Sequence, residues 1–198
     1  RIGGEETRNE YLDTIVNESE RLSRLLNNVL DVPKIKQGTK IYRPLPQPLA
    51  PIVRTAAKTM EYPLRQKGFV LEAEIDENLP DVRVDADALE QAILNLIGNA
   101  IKYSGDSRRI GLRLARRDGW AVVEVRDNGV GIDPRDRERI FEKFYRVPSR
   151  ENRAIPGTGL GLSLVAHFAQ AHGGRVEVEG TPGAGSTFAL HLPLESRA

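Results

Sequence analysis

Asn95, Asn99 and Lys102 are separated by four and three residues, and at about 100° per residue they fall within about 60° of one another on a helix. Leu89, Ala92, Ile93, Leu96, Ile97 and Ala100 form a separate apolar face of the same segment. A face with two amides, one ammonium and no carboxylate suits a polyanion with a bound cation. An asparagine carbonyl oxygen is a neutral hard ligand for Mg²⁺, which keeps waters and takes other ligands from phosphates. The lysine supplies a point charge for a phosphate. Alone, these three residues fit a solvated polar face better.

The context shifts that balance. Asp127-Asn128-Gly129-Val130-Gly131 follows an apolar run directly, placing a carboxylate at a strand end beside a tight turn. An ionised carboxylate only accepts hydrogen bonds, and adenine offers its N6 amino group as a donor where guanine presents an acceptor. Gly129 and Gly131 would let backbone approach a flat ring closely. Gly157-Thr158-Gly159-Leu160-Gly161 opens a helical pattern, where exposed amides and the helix dipole favour an anion. Its spacing is neither Gly-x-Gly-x-x-Gly nor a Walker loop. A further glycine-rich turn, residues 180–186, enters a strand that begins with Thr187-Phe188. Each motif alone is compatible with an ordinary turn; their order and spacing together are specific.

These residues need a scaffold. Residues 5–32 contain no proline, and Leu12, Ile15, Ser19, Leu22, Leu26 and Val29 step by threes and fours, the stripe of a helix burying one seam against partner helices. Pro33 is expected to end or kink it. Pro44, Pro46, Pro48 and Pro51 mark a connector of limited flexibility, so the domains are read as 1–38 and 39–198. The second region predicts helices over 51–66, 88–103, 134–144 and 160–172. Asp87 with Glu90 reads as a capping box, and Asp133-Pro134 as an N-cap and first helical residue. Strands are predicted over 69–75, 82–84, 110–116, 120–126, 175–179 and 187–192, with a hairpin turn at Asp118-Gly119. Interleaved helices and strands with hairpins predict an α+β fold, a mixed sheet covered by helices.

Composition excludes several classes. No cysteine is present, which removes disulfides and thiolate sites and suits a reducing cytoplasm. The formal net charge of +1 gives no reason to expect nucleic acid. No apolar run reaches the roughly 20 residues needed to cross a bilayer, so any membrane anchor is expected upstream of Arg1.

The ordered motifs resemble the sensor histidine kinase family, within the wider group that includes gyrase, Hsp90 and MutL. Residues 95–104 (NLIGNAIKYS) resemble its asparagine box, 127–132 (DNGVGI) its first glycine box and 140–146 (IFEKFYR) its phenylalanine box. Residues 157–162 (GTGLGL) and 183–188 (GAGSTF) resemble the remaining glycine boxes. The resemblance implies a Bergerat-type two-layer α/β sandwich binding ATP and Mg²⁺. It implies that Asn99 holds the metal, with Asn95 and Lys102 beside the phosphates. Tyr103 would lie against adenine, Asp127 would accept from N6 and Thr187 would sit near the ring through water. Gly157, Gly159 and Gly161 would donate backbone hydrogen bonds to phosphates, with Thr158, Leu160 and Leu162 in the same box and Ile132 closing the first. Residues 147–156 would form a lid anchored by Phe141 and Phe144, and Arg146 would contact the γ-phosphate.

Gyrase-like hydrolases carry a glutamate where this chain has Asn95, and an amide cannot take a proton from water. The resemblance therefore implies phosphotransfer to a histidine, which is already a nucleophile when neutral. The family's acceptor lies on a helix preceding one like 5–32, and no such motif is present. His167, His172 and His191, the only histidines, read as structural, so this chain is not expected to phosphorylate itself. A response regulator and a homodimer are the implied partners. A non-catalytic, nucleotide-sensing interaction module is the alternative.

Overall fold

The computed structural model describes residues 11, 12, 15, 19, 22, 26, 30, 33, 40–148, 155 and 157–194. The chain divides into two compact units, Arg1–Lys40 and Ile41–Ala198. In the first, every described residue from Tyr11 to Pro33 is helical. Tyr11, Leu12, Ile15, Leu22, Leu26 and Leu30 share one face and are 52–65% exposed. Pro33 is itself helical; proline's fixed φ lies near the helical value. A kink there falls outside the described residues.

In the second unit the proline-rich segment is more than a connector. β1 (Leu45–Gln47) pairs antiparallel with β3 (Val82–Val84), Leu45 opposite Val84. Prolines at 44, 46 and 48 leave only the Leu45 and Gln47 amides, which point the same way, so this strand can donate along one edge. α1 (Leu49–Gln66) buries Val53, Ala56, Met60 and Leu64, a stripe at helical spacing. β2 (Val70–Ile75), β4 (Arg109–Arg117), β5 (Trp120–Asp127), β6 (Arg175–Gly180) and β7 (Ser186–Pro193) form a sheet in the order β2-β4-β5-β7-β6. Only β2–β4 is parallel, giving the mixed sheet expected. The β4–β5 turn has Asp118 and Gly119 at φ 45° and 83°, the two left-handed residues of a tight hairpin.

α2 (Ala86–Tyr103) starts two residues earlier than the capping-box reading. Asp85 is the N-cap, accepting from the Ala88 amide, and Asp87 sits in the first turn where the helix dipole favours an anion. α3 (Gly161–Ala171) stops before Gly173, at φ 67°. Leu112, Leu114, Val123, Val125, Leu190 and Leu192 share one core with Leu89, Ile93, Ile97, Val165 and Phe168, so one sheet face is covered by helices. The opposite face carries ion pairs, Arg109–Glu72, Arg113–Glu74 and Arg117–Glu124.

Residues 134–144 are not one α-helix. Two 3₁₀ turns, Pro134–Asp136 and Arg139–Phe141, replace it. Asp133 does cap the first, through the Arg135 amide, and Arg135 holds its carboxyl down to about 2. Tertiary anchors override helix propagation here: Arg137 bonds the Gly180 carbonyl, Tyr145 the Asp136 carboxylate, and the Phe144 amide the Gly159 carbonyl.

Candidate nucleotide-binding site

The glycine motifs converge through backbone contacts. The Tyr103 carbonyl, at the end of α2, accepts from the Val130 amide at 3.0 Å. A Cβ on Gly129 would lie 1.9 Å from that oxygen, and one on Gly131, at φ 69°, 1.9 Å from the Thr181 carbonyl. The Gly183 amide donates to the Val130 carbonyl at 2.8 Å, and a Cβ on Gly185 would lie 2.1 Å from the Asp127 carbonyl. Segment 127–131 is thus clamped between the end of α2 and the 181–185 turn. The sequence reading assigned Gly129 and Gly131 to a flat ring; neighbouring backbone by itself also requires their missing Cβ atoms.

Asp127 ends β5 at 4% exposure. Its carboxylate accepts from the Gly129 amide at 2.9 Å. Burial raises its pKa, and hydrogen bonds from the Gly129 and Ser186 amides oppose the rise. A buried carboxylate with acceptor capacity left over is a recognition element for a donor. Around it, Tyr103 and Ile132 are half-buried.

On α2, Asn95 and Asn99 are half-buried and Lys102 is exposed. A Cβ on Gly161 would sit 3.4 Å from Asn95 Oδ1, so the first turn of α3 lies against the amide-bearing face. Leu160 caps α3 without a side-chain hydrogen bond, leaving first-turn amides to an external acceptor. Gly157 and Thr158 are exposed, while Leu160 is buried and Leu162 partly so. Gly159, at φ 71°, would drive a Cβ to 2.8 Å from the Phe144 Cα. Phe144 itself has φ 64° and is 66% exposed, so it is not core. Phe141 packs edge-on against Phe188 at 6.5 Å. Arg146 donates to the Ile155 carbonyl at 2.5 Å; the expected lid otherwise lies mostly outside the described residues.

Thr187 is the site residue the structure does not bring in. Register pairs Asp127 with Ser186 and Arg126 with Thr187, and alternate residues face opposite sides of a strand. Thr187 therefore lies on the outer face with Arg126, while Ser186, 7% exposed, shares the face of Asp127. Sequence reasoning missed Ser186 because only the β5–β7 register distinguishes the two hydroxyls.

Residues 84–196 match the family described as histidine kinase-, DNA gyrase B- and HSP90-like ATPase. The chain is 36% identical over 197 residues to drug sensory protein A of Synechocystis sp., covering 94% of this chain and 29% of that protein. It is 30% identical over 193 residues to the circadian input-output histidine kinase CikA of Synechococcus elongatus, covering 96% and 26% respectively. The chain thus spans under a third of the length of these relatives. Among solved structures, full-length ShkA in complex with AMPPNP superposes with a TM-score of 0.76 at 28% identity, covering all of this chain and 41% of that one. The chain belongs to the histidine kinase-, DNA gyrase B- and HSP90-like ATPase family, and its 84–196 region is a nucleotide-binding catalytic domain of the histidine kinase type.

Proposed function

We propose that this domain binds Mg-ATP between α2, the 127–131 segment and the start of α3, and donates the γ-phosphoryl group to a histidine outside this chain's own three. The observation that carries the reading is the buried Asp127 carboxylate where the 127–131 segment meets the 181–185 turn beside the end of α2. Asp127 accepts the adenine N6 hydrogen, Tyr103 and Ile132 flank the ring, and Ser186 replaces Thr187 as the neighbouring hydroxyl. The 157–161 amides and Lys102 bind the phosphates, and Arg146 lies at the lid. Among the described residues no cluster of His, Cys, Asp or Glu could cage a metal. That fits Mg²⁺ held by Asn99 and phosphate oxygens rather than by a protein cage. When bound, Mg²⁺ would neutralise phosphate charge.

Asn95, an amide, cannot act as general base for water, which favours transfer over hydrolysis. His172 has both ring nitrogens engaged, with the Phe168 carbonyl at 2.8 Å and the Asp85 amide at 3.1 Å. His191 is buried with Nε2 3.1 Å from Glu177, and burial pushes its pKa down. His167 packs beside Tyr42. None suits a phosphoryl acceptor, so the acceptor is supplied by another segment or subunit. The exposed stripe on 11–33 fits a homodimer of the complete, cytoplasmic kinase region, with a receiver-domain response regulator as the onward acceptor.

Calorimetry with AMPPNP, with and without Mg²⁺, tests the site. Binding is expected in the unmodified chain, lost in Asp127→Ala and less Mg²⁺-dependent in Asn99→Ala. Phosphotransfer should then appear when a dimerisation fragment bearing the acceptor histidine is added. Tight nucleotide binding without any transfer would favour a non-catalytic nucleotide-sensing module.

A further inference from the structure

The five-stranded sheet has two edge strands, β2 and β6, and the phase of the hydrogen-bond ladder shows which peptide groups each leaves free. The Leu194 amide donates to the Gly119 carbonyl at 3.1 Å, on the β5 side of β7. Even-numbered residues of β7 therefore bond β5, and odd-numbered ones bond β6. Thr187, Ala189 and His191 stand opposite Glu179, Glu177 and Arg175, so the N–H and C=O groups of Val176 and Val178 point off the edge. On β2 the Val70 and Asp76 amides donate to the Arg108 and Leu114 carbonyls, which leaves those of Leu71, Ala73 and Ile75 pointing outward. Among the described residues neither set has a hydrogen-bond partner. Neither strand carries the usual guards of an edge: proline and lysine are absent, and both registers run without a bulge.

Charge separates the two edges. If either strand paired antiparallel with its own copy, outward peptide groups would have to meet one another, which fixes the parity of the register. On β2, every such register that engages the central Ala73 sets glutamate opposite glutamate, a destabilising arrangement. On β6, the register that sets Val176 opposite Val178 of the copy also sets Arg175 opposite Glu179, and the twofold axis repeats both pairs. The valines lie on the helix-covered face, packed at the margin of the core, and the ion pairs fall on the outer face. Arg175 uses Nε on Glu177, at 2.6 Å, which leaves its Nη groups for Glu179 of the copy. Glu177 would meet its own copy on the axis, where each is already matched by Arg175 and by His191 Nε2 at 3.1 Å. We propose that the β6 edge is an interaction surface for β6 of a second copy of this chain, joining two five-stranded sheets into one across an isologous contact. This contact is separate from the helical stripe of 11–33 and independent of the nucleotide.

Amide hydrogen exchange of the whole ligand-free chain, followed by NMR over about a hundredfold range of chain concentration, tests the pairing. Exchange at Val176 and Val178 is expected to slow as concentration rises, while Leu71, Ala73 and Ile75 stay fast throughout. Arg175→Glu makes the β6 edge wholly acidic, like β2, and should abolish the slowing. Adding Glu179→Arg to that variant re-forms the opposed pairs with their signs exchanged and should restore it, which separates pairing from damage to the fold. Association through the helical stripe alone would leave all five edge amides fast at every concentration and overturn the proposal. So would slowing at both edges alike, slowing that survives Arg175→Glu, or a double variant that fails to recover it.

Discussion

The antiparallel pair α2–α3 is closed differently at its two ends. At one end side chains do the joining. His172, after α3, accepts the Asp85 amide before α2; Asp85 takes the Ala88 and Arg43 amides; Tyr42 stacks edge-on against His172 at 5.1 Å. At the other end, where α2 finishes and α3 begins, backbone meets backbone at Gly129, Gly131, Gly159 and Gly185. A side-chain joint can be trimmed and still fit. A glycine joint has no atom to remove, and any added atom collides with a carbonyl. The difference reflects what each end must do: the first only holds, while the second must leave amides and a buried carboxylate facing a ligand.

The glycine end should therefore be the fragile one. In Gly129→Ala the new Cβ meets the Tyr103 carbonyl, whose neighbours include the buried Ser104. Forced insertion into packed structure costs about 1–3 kcal/mol or more, a melting temperature lower by roughly 2–12 °C at this size. AMPPNP binding measured by calorimetry should fall below detection. Unchanged affinity and melting would remove the basis of the comparison.

Asp127 sharpens the same point through pH. Its pKa is raised by burial, so the ordinary unfolded value lies below the folded one. As pH falls through the raised folded value, the native chain takes up a proton that the unfolded chain does not, and the burial penalty on the charged form is relieved. The ligand-free domain should thus gain stability from this group in that window. Nucleotide affinity should fall in the same window, because the acceptor is being protonated. Asp127→Asn should abolish both dependences; parallel rather than opposite trends in melting and affinity would show that another group governs them.

The side-chain end predicts a milder result. His172→Ala leaves the Asp85 amide without its acceptor, at a cost of about 1–3 kcal/mol, read by urea denaturation. AMPPNP affinity should stay within about threefold, since no nucleotide-site group is touched. A loss of binding as large as that of Gly129→Ala would mean the two ends are one cooperative unit.

The asymmetry also explains what the sequence disclosed. Periodic segments were readable: the 3.6-residue stripe of α2 and the alternation around Asp118-Gly119 need only local rules. The helix expected over 134–144 failed because Arg137 and Phe144 are bonded to Gly180 and Gly159, outside the segment, which no local propensity encodes. Asp85 was overlooked as the cap because Asp87 offers a similar side chain two residues later. The first glycine motif does meet the end of α2, and the last meets the first, through backbone contacts. Thr187 does not join them, because one residue's slip in a strand changes the face, and the register comes from pairing with β5.

The smallest expected effect tests whether the glycines differ among themselves. Gly98 lies inside α2, between Asn95 and Asn99, and a Cβ there meets nothing within 4 Å. It has none of the backbone contacts that require Gly129 or Gly185, so only its conformational freedom remains, and that disfavours a helix. Gly98→Ala should stabilise the domain by about 0.5–1 kcal/mol, raising the melting temperature by roughly 1–4 °C, with AMPPNP affinity unchanged. A lower melting temperature would mean that this position is covered by something the described residues do not include. Raised stability with weakened affinity would instead place Gly98 against the phosphates, extending the glycine-built end of the helix pair by one turn.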